Sequence, residues 1–261
     1  MEIMAGDQPQ HHFVLVHGMN HGAWCWYMAL TLLRLAGHRA TALDMAGCGV
    51  HPARVDEVLT FQDYSRPLLD ALAALPSGDR ESCSSRTATA AVGRAMAATS
   101  DELLAYVGDD FFMDSQDFEQ RNPNISGRPF IFGPEFMARK VYNMSPLEDL
   151  NLGLMLIKPA NSFTTNNSEE VVMRDENLLT AGRYGSVRRV YVTVEHDRAI
   201  PVGFQRRMIA QSPGIEVEGI AAGGADHMVM ISRSEDLAEL LVRIAGGRGT
   251  VRASKANDSV A

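Results

Sequence analysis

Phe13-Val14-Leu15-Val16 is a continuous apolar run, rich in β-branched side chains, that stops at His17-Gly18. A strand with one wet face alternates apolar and polar residues. A run without alternation suits a strand covered on both faces, as in the interior of a parallel sheet. Parallel neighbours need a crossover, and the chain supplies one. A helical pattern from about Trp24 to Leu35 spaces Trp26, Leu30, Leu32 and Leu33 over one face before Gly37 stops it. Arg39 to Asp44 then reads as a second strand running into the Gly47-Cys48-Gly49 loop. Strand, helix, strand with short joins is a βαβ unit, so the fold class is α/β.

This rhythm continues, fails, and returns. Phe61 to Leu75 predicts a helix with Tyr64, Leu68, Leu72 and Leu75 on a repeating face, ended by Pro76-Ser77-Gly78-Asp79. A buried strand should follow, but Glu81 to Ala91 is small, polar and almost free of large apolar residues. From Thr99 to Phe163 helix signals and methionines accumulate. There Ser145-Pro146-Leu147-Glu148 combines a capping box with proline at the first helical position. Met137, Tyr142, Met144, Leu154, Met155 and Leu156 form a stripe that reads either as the lining of a helical lid or as plain core. Strands at Arg189 to Val194 and Ile215 to Ile220 then flank a helix from about Val202 to Gln211. A last helix, Ser234 to Ile244, follows the capping pattern Ser232-x-x-Glu235. The expectation is one domain over residues 1–245, with a lid at roughly 99–165 and a disordered tail over 246–261.

Composition narrows the class of partner. The chain has 261 residues, 21% of them charged, and a net charge of −8, which disfavours nucleic acid and anionic membrane and leaves a small neutral or weakly acidic molecule. Cys25, Cys48 and Cys83 are odd in number and lack any C-x-x-C, so neither a disulfide framework nor a zinc site is expected, and a reducing cytoplasm fits. The polar segment Met1 to His12 has no apolar stretch of a targeting signal. Gly47-x-Gly49 lacks the third glycine of a dinucleotide fingerprint, and the histidines at 11, 12, 21, 38 and 51 have no ligand spacing with acidic partners. No cofactor and no metal are expected.

Acyl transfer by a serine hydrolase needs a nucleophile, a base beside it, a carboxylate orienting the base, and backbone N–H groups aimed at the oxyanion. Three have candidates. His227 follows the last strand in a turn loosened by Gly223-Gly224, and Asp197 follows the preceding strand, so both belong to the carboxyl edge of a parallel sheet. Carboxylate before histidine is the order of this hydrolase architecture. Met19, just after the first strand, is placed to offer its backbone N–H to an oxyanion. The plainer readings are a structural histidine and an aspartate that caps the helix begun near Pro201.

Together His12-Phe13-Val14-Leu15-Val16-His17-Gly18, Gly22-Ala23-Trp24-Cys25-Trp26-Tyr27, Thr41-Ala42-Leu43-Asp44, Phe132-Gly133-Pro134, Phe204-Gln205-Arg206 and Gly224-Ala225-Asp226-His227-Met228 resemble the plant methylesterase and hydroxynitrile lyase family of α/β-hydrolases. The resemblance runs from His12 to about Ile244. It implies a mostly parallel sheet flanked by helices under a helical lid, and a cofactor-free, often dimeric, cytosolic esterase. Its substrates would be small methyl esters such as methyl salicylate, methyl jasmonate or methyl indole-acetate. It also implies that Asp197 and His227 are the acid and base and that Met19 belongs to the oxyanion hole.

The departure is as specific as the match. That family places its serine in a G-x-S-x-G elbow after the second helix, and no such elbow occurs between Glu81 and Ala98. Val92-Gly93-Arg94-Ala95-Met96-Ala97-Ala98 echoes it with Ala95 where the hydroxyl belongs, and Ser84 and Ser85 lack the context of an activated nucleophile. No nucleophile is found, and the sheet is expected to lack one or two central strands. Three readings stay open: an impaired carboxylic-ester hydrolase, a non-catalytic small-ligand-binding homologue, and a truncated gene product. A hydroxynitrile lyase would use the same missing serine.

Overall fold

The computed structural model describes residues 10–75, 102–119, 121–124, 128–161, 187–212, 214–220 and 223–247. The altered segment 81–98 and the tail beyond residue 247 lie outside the described residues. β1 (His12–Val16) pairs in parallel with β2 (Arg39–Leu43), with Phe13 opposite Ala40 and Leu15 opposite Ala42. The crossover is a 3₁₀ turn, Ala23–Trp26, continued by α1 (Tyr27–Leu35). β1 is covered on both faces, as its unbroken apolar run requires. Phe13 and Leu15 pack with Leu33, Ala40 and Ala238, while Val14 and Val16 pack with Met45, Cys48, Phe61, Tyr64 and Leu68.

The helix expected over residues 61–75 is two helices, α2 (Phe61–Tyr64) and α3 (Arg66–Ala73), broken at Ser65. Pro67 has no N–H to continue the ladder back to Asp63, so the chain turns before resuming. Next comes a small antiparallel sheet that periodicity does not foresee: β3 (Gln116–Asp117), β4 (Pro129–Ile131) and β5 (Ala160–Asn161). Strands of two or three residues show no period. Between β4 and β5 lie α4 (Pro134–Phe136), a π-helical turn Met137–Val141, and α5 (Leu147–Leu156).

A second parallel pair follows, β6 (Val190–Val194) with β7 (Glu216–Ile220), linked by α6 (Val202–Ala210). Two helices come after β7, the short α7 (Val229–Ser232) and the longer α8 (Ser234–Ala245). Among the described residues no strand joins β1 to β6. The two parallel pairs meet through helices instead, with α1 against α8 and Trp26 packed against three separate core clusters.

Both predicted caps are corrected. Pro146 is the N-cap of α5 and Leu147 its first residue; the Ser145 hydroxyl donates to Asp226 rather than capping. Ser232 ends α7, where its hydroxyl donates to Met228 O, and Arg233 is the N-cap of α8. In each case another acceptor takes the hydroxyl. The methionine and aromatic stripe divides: Met137 and Tyr142 are buried core, whereas Met155 is 74% exposed. No helix among the described residues is long and apolar enough to cross a membrane.

Candidate active site

Asp197 hangs from the end of β6 in a loop secured by a buried glutamine. Gln205 Oε1 accepts the Val194 N–H, and its amide nitrogen donates to Val194 O and Ile200 O, both at 2.8 Å. Asp197 Oδ1 accepts the N–H groups of Ala199 and Ile200 at 2.8 and 2.7 Å, and Oδ2 receives His227 Nδ1 at 3.0 Å. Asp197 does not cap α6, whose N-cap is Pro201 with no side-chain cap bond; one of its oxygens ties its own loop and the other meets His227. With Nδ1–H donated to the carboxylate, the neutral imidazole carries its lone pair on Nε2. Burial opposes protonation of His227. The Asp197 carboxylate, by charge and hydrogen bond, and Asp226 by charge, outweigh it and hold the ring above the ordinary histidine value.

Asp226, wholly buried, fixes the loop that carries His227. Its Oδ2 accepts from Met144 N, Ser145 N and the Ser145 hydroxyl at 2.9, 2.7 and 2.8 Å, and Oδ1 accepts from Met228 N at 3.0 Å. Asn143 Nδ2 donates to His196 O at 3.3 Å, so the same stretch before α5 also touches the loop that carries Asp197.

Met19 lies in the turn after β1. Gly18 O accepts from His17 Nδ1 at 2.7 Å and from the His21 N–H at 3.3 Å. Because a trans peptide sets C=O and N–H on opposite sides, these bonds turn the Met19 N–H away from the His17 ring. His17 Nε2 in turn accepts the Met45 N–H at 3.1 Å, which anchors the turn to the end of β2. A donor at one nitrogen and an acceptor at the other make His17 a neutral positioning group, and burial lowers its pKa.

His21, weighed in the sequence only as a metal ligand, belongs to this cluster. Its Nδ1 donates to Met19 O at 2.8 Å, and its Nε2 accepts from the Tyr142 hydroxyl at 3.0 Å. The ring is stacked between Trp24 and Tyr142 at centroid distances of 5.3 and 5.9 Å. Burial pushes its pKa down to about 4, the bond to Met19 O opposes this, and positive charge on His227 adds to the lowering. The π turn is what aims Tyr142: the Tyr142 N–H reaches back five residues to Met137 O at 2.8 Å. The signal available in the sequence was the second His-Gly, His21-Gly22, four residues after the first.

Asp44 closes the floor of the turn, accepting the Ala23 N–H at 2.7 Å and the Val50 N–H at 3.1 Å. The backbones pass so near that a Cβ on Gly22 would stand 2.7 Å from Gly49 Cα.

Among the described residues no serine hydroxyl is hydrogen-bonded to His227, and no cluster of three or more His, Cys, Asp or Glu side chains forms a metal site. The buried thiols do not substitute for the serine. Burial pushes Cys25 up to about 12 and Cys48 up to about 11, so neither is a thiolate at neutral pH. A cleft of about 180 Å³ between Arg54, Asp56, Phe118, Arg121, Pro129 and Pro159 contains none of Asp197, His227 and Met19.

Comparison with known proteins gives the family. Residues 13–240 match the alpha/beta hydrolase family. Probable esterase PIR7A of Oryza sativa subsp. indica is 44% identical over 259 aligned positions, covering 90% of this chain and 96% of the relative. Methyl jasmonate esterase 1 of Vitis vinifera is 36% identical, covering 91% and 98%. The crystal structure of polyneuridine aldehyde esterase superposes with a TM-score of 0.76 at 31% identity, covering 91% of this chain and 100% of that one. This chain belongs to the α/β-hydrolase family, among the carboxylic-ester hydrolases of the plant methylesterase type.

Proposed function

We propose that the protein takes small carboxylic esters, in particular methyl esters of hormone-like acids such as salicylic, jasmonic or indole-acetic acid, and hydrolyses them slowly with water as the nucleophile. The carrying observation is the intact acid–base pair, His227 Nδ1 on Asp197 Oδ2 at 3.0 Å. In this mechanism His227 Nε2 removes a proton from water, and the oxygen adds to the ester carbonyl. The Met19 N–H receives the resulting oxyanion. The imidazolium then returns its proton to the departing alkoxide, leaving a carboxylic acid and methanol. Asp197 orients the ring and stabilises its charged form throughout.

The rate should be far below that of a relative that retains the serine. Removing a triad nucleophile lowers kcat by several orders of magnitude, with roughly 10³-fold over water surviving from binding and oxyanion stabilisation. The comparison with the rice esterase supports a lost segment. Ninety per cent of 261 residues is about 235, fewer than the 259 aligned positions, so about 24 positions of the relative face no residue of this chain. That length is of the order of the missing elbow.

The same observation favours a second reading, a binding protein that keeps the fold and the His227–Asp197 pair and has lost turnover. Incubating the pure protein with p-nitrophenyl acetate and with a methyl ester, beside His227→Ala, separates the two. Turnover abolished by the substitution supports the esterase. Turnover equal to buffer, with a ligand that still raises Tm, supports the binder. We place the protein in the cytoplasm, in keeping with the unpaired, buried Cys25 and Cys48; the family resemblance implies no cofactor and is compatible with a homodimer.

A further inference from the structure

Asn20 follows the oxyanion-turn residue Met19 and is the least expected member of the cluster. It is wholly buried and has a left-handed backbone, φ 63°, which asparagine tolerates better than other side chains with a Cβ. Both amide protons are spent on carbonyls far along the chain, Phe130 O at 2.7 Å and Lys158 O at 2.8 Å. The Asn20 carbonyl in turn accepts the Lys158 N–H at 3.0 Å. Its Oδ1 has no hydrogen-bond partner among the described residues, so the donors explain this side chain and the acceptor does not.

Phe130 lies in β4, and Lys158 leads into β5, strands paired through Phe130 and Ala160. One side chain therefore ties the turn after β1 to β4 and to the segment that leads into β5. The His21–Tyr142 bond makes a second tie between the same turn and the same insertion. Two side chains from one turn thus hold the insertion at both its strands and its helical part.

We propose that Asn20 is a positioning residue through which the inserted segment 128–161 sets the direction of the Met19 N–H, so that oxyanion stabilisation depends on the β4–β5 base being in place. This rests on the reading of Met19 as the oxyanion donor. Asn20 touches no reacting atom in it and acts through the peptide of its neighbour. Asn20→Gly is the informative change, because glycine adopts the positive φ without strain and removes only the clamp. Asn20→Asp is the companion, since a carboxylate would face two carbonyl oxygens with no proton to offer.

The test is amide hydrogen exchange on the full chain, with p-nitrophenyl acetate kinetics on the same samples. In Asn20→Gly, exchange at residues 19–21, 130–131 and 158 should rise at least tenfold together while β6 and α8 stay as in the parent. kcat should fall about tenfold with KM little changed. Exchange unchanged at the turn, or raised uniformly across the chain, would overturn the proposal whatever the kinetics. Raised local exchange with kcat intact would overturn the link to oxyanion geometry. If the parent itself shows no turnover, the esterase reading fails, and the exchange pattern still decides whether Asn20 holds the turn to the insertion.

Discussion

Asp197 divides its carboxylate between two partners: Oδ2 meets Nδ1 of His227 at 3.0 Å, while Oδ1 is held by the N–H groups of Ala199 and Ile200. One oxygen fixes the loop and the other fixes the His227 ring. The ring is oriented by a group that cannot itself swing away.

Asp197→Asn should lower ester turnover by about two orders of magnitude, because the amide no longer stabilises the imidazolium and can select the wrong tautomer. The pH profile should move as well. The raised pKa of His227 depends on the Asp197 charge, so losing that charge lets the base stay neutral to lower pH and shifts the acid limb downward. A rate–pH profile that keeps its midpoint would show that His227 does not act as the base.

The same linkage has a stability side. A histidine with a raised folded pKa contributes stability that is complete below its ordinary value of about 6.5 and fades as pH rises through the folded value. Asp197→Asn should therefore destabilise more at pH 5.5 than at pH 9, as read by urea unfolding at the two values.

His21 works in the opposite sense. Its folded pKa of about 4 lies below the unfolded value, so its contribution is present above about pH 6.5 and is lost as pH falls toward 4. A shift of that size corresponds to about 3 kcal/mol at full protonation. His21→Gln should lose stability at pH 7.5 and flatten the decline between pH 6.5 and 4; an unchanged slope would show that another group governs acid sensitivity.

Asp226→Asn tests the anchor behind His227. The carboxylate accepts from two backbone N–H groups and a hydroxyl at Oδ2, and an amide nitrogen placed there would set donor against donor in a buried site. The expected loss is about 2–3 kcal/mol in chemical denaturation. Local exchange should rise at residues 144–145 and 228. A loss below half a kcal/mol would mean that the loop is held by other contacts.

Gly49→Ala should be severely destabilising. Gly49 has φ 49°, and an added Cβ would collide with the Asp44 carboxylate that ties the turn to residues 23 and 50. Thermal unfolding should show a Tm lower by at least about 10 °C, from combined strain and a lost part-buried hydrogen bond.

Much of the frame was legible because it rests on period. The run at 13–16, the helix at 27–35 and the strands at 190–194 and 216–220 all appear where the pattern of apolar residues places them. The caps at Ser145 and Ser232 were misread, since a hydroxyl has several possible acceptors and only the packed chain selects one. The β3–β4–β5 sheet escaped because its strands are shorter than any period. Its role is carried by Asn20, whose partners lie 110 and 138 residues away.

The sequence alone determined the α/β class, the order of acid and histidine, and the absence of a G-x-S-x-G elbow, because these depend on local pattern and on the presence or absence of residue types. Tertiary structure decided which histidine meets a carboxylate. His17, His21 and His227 are alike as letters, yet one is pinned to Gly18 O, one is sealed beneath Tyr142, and one rests on Asp197. A histidine's chemistry is set by what stands about 3 Å from each ring nitrogen, and only folding brings those groups together.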